Sequence, residues 1–355
     1  SNANLLAFYV SEELNPTLRL KAVIGLRAEY FVQRHTGRDI VYANGNTVDG
    51  RNLENEEVIN SLDLFPSLNL VYQLKATQNL RFSYARTIAR PSFKELSFAQ
   101  ILDPITNRTF NGSLFTYKDW DGKLVETHID DLDVRWETFM ERNQTFSASV
   151  FYKRFQNPIE MVRIPEQQTG QEFQARNVGN GSLLGLEFEF RKSLDFVAPS
   201  LTNFNVNGNL TLVQSVIDMT TTEYNARKDF EREGETIKNT RQMAGQAPYL
   251  INAGLGYNHP KSALDVLLFY NVKGPTLTIV GVGLYPDVFQ DPFHSLNLSV
   301  SKKLGEEQKT NITFRIQNML NDNIDNYYQS FEAQKEVFSR LYPGFAFSFG
   351  VSVKI

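Results

Sequence analysis

Residues 345–355 alternate without a break between bulky apolar and small or polar side chains. Phe345, Phe347, Phe349, Val351, Val353 and Ile355 fall on one face, and Ala346, Ser348, Gly350, Ser352 and Lys354 on the other. Successive side chains of a strand point to opposite faces, so this is a β-strand with one apolar and one wet side. Its length is that of a tilted strand crossing a bilayer. The same period recurs upstream. Leu20, Ala22, Ile24, Leu26, Ala28 and Tyr30 oppose Lys21, Val23, Gly25, Arg27 and Glu29; Leu184, Leu186, Phe188 and Phe190 oppose Gly185, Glu187, Glu189 and Arg191. No helical period competes with it. The pattern predicts thirteen strands, at 5–14, 18–33, 61–74, 78–90, 130–141, 144–157, 173–193, 201–217, 247–258, 262–273, 292–303, 309–319 and 343–355.

The links between these strands carry a second signal. Short ones (15–17, 75–77, 142–143, 195–200, 258–261, 305–308) alternate with long ones (34–60, 91–129, 158–172, 218–246, 274–291, 320–342) along the whole chain. A transmembrane barrel sorts its connections this way, with tight turns on one rim and extended loops on the other. A soluble sandwich has no physical reason to do so. The pattern therefore predicts an all-β fold, an antiparallel transmembrane up-and-down β-barrel facing lipid on one side and water on the other.

Composition changes this reading little. Among 355 residues there are 27 Phe, 15 Tyr and no Cys, with a net charge of −4. The acidic balance gives no footing for nucleic acid, and the missing cysteines exclude disulfides and thiolate metal sites. The mean hydropathy of −0.34 is what alternating strands and polar loops average to, and no apolar run approaches the roughly 18 residues of a transmembrane helix. Residues 1–3 read as an expression-tag remnant, which leaves 4–355 as one partial barrel domain. The strand count is odd, whereas bacterial single-chain barrels are even. The chain is thus expected to begin in mid-barrel. Bare strand edges are costly in lipid, so it is expected either to close into a smaller barrel or to pair with other strands.

Several stretches resemble one family. Leu80-Arg81-Phe82-Ser83-Tyr84-Ala85-Arg86-Thr87-Ile88-Ala89-Arg90-Pro91-Ser92-Phe93-Lys94-Glu95-Leu96 is similar to a "SYSRTxxRPxFxEL" segment of TonB-dependent outer-membrane receptors. Ile129-Asp130-Asp131-Leu132-Asp133-Val134-Arg135-Trp136-Glu137, Gly185-Leu186-Glu187-Phe188-Glu189-Phe190, Ala247-Pro248-Tyr249-Leu250-Ile251-Asn252 and Gln317-Asn318-Met319-Leu320-Asn321-Asp322 match as well. The resemblance implies a 22-stranded barrel with a plugged lumen, of which this chain carries about the last 13 strands and neither plug nor TonB box. It also implies a bacterial outer-membrane location and import of a scarce ligand (ferric siderophore, haem, vitamin or oligosaccharide) coupled to TonB. The implied partners are outer-membrane lipid, the receptor's own plug, the TonB complex and a small-molecule ligand. Two departures stand out: the terminal residue is Ile355 where an aromatic is usual, and the segment leading to Val125-Glu126-Thr127-His128 replaces the family's "NPxLKPE" turn.

On that scheme Arg27, Glu29, Asp133, Arg135, Glu137, Glu187, Glu189, Arg191 and Arg315 line the lumen, where they dock the plug or are simply solvated. In the loop 91–129, Phe110, Phe115, Tyr117, Trp120 and His128 are candidate ligand contacts, because aromatic planes suit siderophores or sugars; packing within the loop is the competing role. The glycine-interleaved run 279–285 reads as a loop strand or rim packing. Asp119-Trp120-Asp121-Gly122 lacks the later ligands of a calcium loop. His35, His128, His259 and His294 are too scattered for a metal cluster, and Asn-x-Thr triplets follow from polar alternation. No nucleophile elbow, acid/base pair or phosphate loop is present. The chain is therefore expected to be no enzyme and to hold no cofactor. A passive porin-like channel and a soluble β-rich binding or adhesion module are the competing functions; a barrel-embedded hydrolase lacks a catalytic set.

Overall fold

The computed structural model describes residues 1–355 except 105–106, 142–143, 165–171, 306 and 355. The expected link at 142–143, part of the links at 158–172 and 305–308, and the terminal Ile355 lie outside the described residues. In chain order the strands are β1 (Asn2–Thr17), β2 (Leu20–Arg38), β3 (Asn52–Lys75), β4 (Gln78–Ala89), β5 (Gln100–Asp103), β6 (Arg108–Asn111), β7 (Thr127–Met140), β8 (Gln144–Gln156), β9 (Ile159–Arg163), β10 (Glu172–Asn177) and β11 (Gly181–Ser193). They continue as β12 (Phe204–Asp218), β13 (Thr240–Arg241), β14 (Tyr249–His259), β15 (Leu264–Lys273), β16 (Thr276–Ile279), β17 (Asp287–Gln290), β18 (Phe293–Leu304), β19 (Thr310–Gln317), β20 (Ile324–Gln329), β21 (Glu336–Leu341) and β22 (Ala346–Val353).

The wall follows the path β1-β2-β3-β4-β7-β8-β11-β12-β14-β15-β18-β19-β22, with β13 added beside β12. Every wall pair is antiparallel and each strand neighbours the wall strand before it, so the connections run up and down. These thirteen are the strands that the alternation predicts. Cross-strand register keeps the faces separate. Phe82, Val134, Val150, Leu186 and Leu212 form one continuous apolar row. Arg81, Arg135, Ser149, Glu187 and Thr211 form the polar row behind it. No second layer covers the apolar side: Val150 is 48% exposed, Leu184 51% and Phe347 72%. That disposes of the soluble module, whose phenylalanines would lie buried between two sheets. No helix among the described residues is long and apolar enough to cross a membrane.

Two expectations need correction. The strand expected over 173–193 is two elements, β10 and β11. The break at residues 178–180 brings Gly179 so close to the next strand that a Cβ there would sit 2.0 Å from the Asp218 carbonyl oxygen. A helix, Thr221–Lys228, occupies the loop after β12. It is too short to display a period, but Thr220 Oγ1 caps it by accepting from the Glu223 amide at 3.2 Å. Of the two outcomes expected for the strand edges, closure into a smaller barrel is not the one seen: among the described residues β1 pairs with β2 and β22 with β19, not with each other.

The long loops are themselves structured. β5-β6-β10-β9 and β16-β17-β20-β21 form two small sheets on the long-loop rim, joined by a parallel bridge between Val162 and Val280. The run 279–285 supplies that bridge, and Val280 is fully buried there. Two apolar cores anchor this canopy, one around Phe31, Leu53, Leu96, Leu114 and Leu124, the other around Val162, Ile217, Leu277 and Val280. Asn318, in the Gln317–Asp322 stretch, turns the chain out of β19 with φ 51°. Its amide donates to the carbonyls of Asp322 at 3.1 Å and Gly344 at 3.0 Å, tying the last long loop to the start of β22.

Candidate functional site

The residues of the polar face form ion pairs along the wall. Arg27 pairs with Glu29 at 2.5 Å, and Arg135 with Glu189 at 2.7 Å and Glu137 at 3.7 Å. Glu187 accepts from Thr211 at 3.5 Å. Asp133 sits in register with Phe151 and Ser83, and Arg315 with Ser299 and Ser348. Arg191 and Glu189 border a cleft of about 760 Å³. Reasoning from the sequence missed the residues that knit this row together. Arg81 holds Glu137 at 2.5 Å. Arg90, from the Arg-Pro pair after β4, reaches Glu29 at 2.8 Å and Glu126 at 3.4 Å, with its guanidinium 4.4 Å over Phe31. The wall is two-toned. Midway along β12, β14 and β15 the charges give way to amides: Asn252 donates to Asn209 at 2.7 Å, and Asn271 donates to Asn252.

The five candidate ligand contacts do not converge. His128 leaves the loop and binds Asp63 at 2.8 Å, beside the Arg90 cluster. Phe110 stacks on Phe173 with centroids 5.5 Å apart, and Phe115 meets Phe98 edge-on at 5.4 Å. Both serve packing within the canopy. Tyr117 and Trp120 bridge one another, and the Trp120 indole donates to the Ser113 carbonyl at 2.7 Å. The group that gathers them is Arg176, 6% exposed. Its guanidinium lies 5.5 Å from the Tyr117 ring and 5.4 Å from Trp120, donating to Gln174 at 2.7 Å and Asp119 at 2.9 Å.

Beside it, a buried charge cluster binds three loops together. Arg241 holds Glu160 at 2.7 Å and Glu223 at 2.6 Å. Arg227 holds Glu223 at 3.1 Å and Asp287 at 2.8 Å. Burial works against the charge on Arg241, but the Glu223 and Glu160 carboxylates outweigh it and hold its guanidinium above the usual arginine range. Arg163 is the opposite case. It lies over Tyr285 at 4.1 Å and Phe173 at 5.5 Å, and burial pushes its guanidinium down.

Cavities open among the loops. A cleft of about 600 Å³ runs between residues 219–238, 281–289 and 329–332. A smaller one of about 200 Å³ lies where four loops meet, walled by Asp119, Trp120, Val162, Arg176, Thr222 and Val280 among others.

Comparison with known proteins accounts for the architecture. The family described as TonB dependent receptor-like, beta-barrel matches residues 1–319. No curated protein matches in sequence. Among solved structures, the ferric yersiniabactin uptake receptor FyuA from Yersinia pestis superposes with a TM-score of 0.59 at 14% identity, over 99% of this chain and 45% of its own. The ferric citrate transporter FecA gives 0.62 at 14%, over 99% and 45%. The copper transporter OprC gives 0.63 at 15%, over 99% and 47%. At such identities the likeness is one of fold, and the chain spans less than half the length of these proteins. With the family model covering most of its length, the chain belongs to the TonB-dependent receptor β-barrel family.

Proposed function

We propose that this chain is part of the wall and loop canopy of an outer-membrane receptor that captures a small ligand outside the cell and imports it by TonB-coupled active transport. The single observation behind this reading is the pairing of a lipid-compatible wall with a built canopy. One face of each wall strand is apolar and uncovered, the other is hydrogen-bonded and ionic, and the long loops above it enclose cavities instead of splaying apart. A porin needs an open mouth, whereas here two loop sheets are built on the long-loop rim and bridged to each other. The neighbours named for ferric chelates and copper support a small-molecule cargo.

The paired inward charges fit a plug-holding surface. Pairs that keep at least one partner open to solvent contribute little stability each, on the order of 0–1 kcal/mol. They can hold a partner specifically yet let it go. The amide wall from β12 to β15 would then face the moving ligand.

Uptake by cells making the intact receptor tests the reading. Cells lacking it are compared with complemented cells across single labelled nutrients, with and without a protonophore. The expected result is loss of uptake for one nutrient class, restored by the gene and abolished by the protonophore. Uptake that survives the protonophore and deletion of TonB would make the protein a passive channel.

A further inference from the structure

We infer that the cavity of about 200 Å³ where the four loops meet binds a neutral, hydroxyl-bearing end of the ligand, through Asp119 and Arg176 beside Trp120. This rests on the reading of the canopy as the ligand-capturing element and names the chemistry that it captures.

The first ground is unsatisfied hydrogen bonding. Asp119 and Arg176 are joined through Oδ2 and Nη1 at 2.9 Å. The other half of each group, Asp119 Oδ1 and Arg176 Nη2, finds no partner among the described residues although both atoms are buried. Buried polar atoms are nearly always paired in native structures, so an idle acceptor next to an idle donor is a site that lacks its occupant. The rest of Arg176 is immobilised by Gln174, itself held by the carbonyls of Gly112 at 2.9 Å and Phe115 at 3.0 Å. The donor is thus fixed in place. One acceptor and one donor side by side match two adjacent hydroxyls, each of which both gives and takes a hydrogen bond.

The second ground is charge. A buried arginine invites an anion, but the charges of this region already cancel. Asp119, Glu160, Glu223 and Asp287 supply four negative charges; Arg163, Arg176, Arg227 and Arg241 supply four positive ones. The cavity's own walls balance as well, the carboxylates Asp119 and Glu223 against the guanidiniums Arg163 and Arg176, and Arg163 Nε and Nη1 are idle donors there too. An anionic ligand would leave the buried set with an excess negative charge. A neutral ligand leaves the balance intact.

The third ground is shape. The Trp120 indole and the side chains of Val162 and Val280 supply apolar wall around the polar pair, as suits a ring with apolar faces and a hydroxylated edge. The volume admits one such ring, so a larger ligand would insert one end here and extend into the neighbouring space.

The test uses the intact receptor in detergent, titrated calorimetrically with methyl α-glucoside and inositol, and with citrate and inorganic phosphate as anions. Saturable binding of a neutral polyol and none of the anions is expected. Asp119→Asn, which keeps the shape but spoils the acceptor, is expected to weaken binding at least about 10-fold. Thr222→Val, across the cavity and outside the ion cluster, serves if the loop tolerates no change at Asp119, and is expected to weaken binding severalfold. Heat-modifiable gel mobility confirms folding of each variant. Binding of citrate or phosphate instead, no saturable heat with any polyol, or unchanged affinity in folded Asp119→Asn overturns the inference. If energised uptake persists in cells while polyols fail to bind, the transport reading stands and only this pocket is lost.

Discussion

Replacing Arg241 with alanine is expected to release the loop canopy while leaving the wall folded. Arg241 is the one group shared by Glu160 on β9 and Glu223 on the Thr221–Lys228 helix, and the side chains of all three are no more than 7% exposed. Deleting it strands two carboxylates in a poorly hydrated place. Breaking a buried pair by removing one partner costs about 3–5 kcal/mol, because the remaining charge is uncompensated. Arg227 relieves only part of this, since it is already committed to Asp287 at 2.8 Å. Hydrogen exchange reads the effect directly: amides of residues 159–163 and 221–228 are expected to lose about 100-fold or more of their protection, with β11 and β12 unchanged. Arg241→Lys is expected to fall between, since an ammonium cannot fork to two carboxylates as a guanidinium does. If protection in β9 and the helix is unchanged in Arg241→Ala, the canopy is held by its apolar cores and the charge cluster is incidental.

Leu186→Arg is expected to be the most damaging single change in the wall. Leu186 lies mid-strand on the apolar row between Val150 and Leu212, 41% exposed with no protein cover. An arginine on the lipid face of a barrel near the midplane costs about 2–4 kcal/mol. Glu187→Gln, one residue along, changes a charge on the polar row beside Ser149 and Thr211. It is expected to shift stability by less than about 1 kcal/mol, since a solvent-exposed charge of this kind contributes little. Denaturant titration of the receptor in lipid vesicles separates the two. Equal effects at 186 and 187 would mean that the strand does not divide lipid from water.

How much of this was legible in the sequence follows from where each element sits. The wall strands are readable because lipid and water meet opposite faces of one strand, so Phe345, Phe347 and Phe349 must alternate with Ala346, Ser348 and Gly350. The canopy strands are not. In β10, Phe173, Gln174, Ala175 and Arg176 are all buried, with protein on both faces, so apolar and polar residues follow no period. The loop aromatics were found by type, but their arrangement was not. Phe110 and Phe115 pack inside the canopy, His128 belongs to the Arg90 cluster, and only Trp120 borders the small cavity. Its partner Arg176 lies 57 residues from Asp119, a separation no local pattern encodes. Asp119 itself was weighed only as the start of a calcium loop. The one local hint was a charged residue in a strand without a wet face.

The polar row of the wall tells the same story. Arg27, Glu29, Arg135, Glu137 and Glu189 announce themselves as charges opposite an apolar face. Arg90 does not, because it follows β4 and finds Glu29 and Glu126 through the bend after Ala89. Alternation tells which way a side chain points within a strand and is silent about where the strand ends carry it.

The two-sidedness of the wall is best measured by a nitroxide scan through β11. The chain has no cysteine, so single cysteines at 184 to 189 can be spin-labelled without background in the receptor reconstituted in vesicles. Collision with dissolved oxygen, which concentrates in acyl chains, should peak at 184, 186 and 188. Collision with a water-soluble nickel chelate should peak at 185, 187 and 189. Six labels that respond alike, or peak for the nickel chelate at the even positions, would contradict the membrane-spanning wall on which the whole account stands.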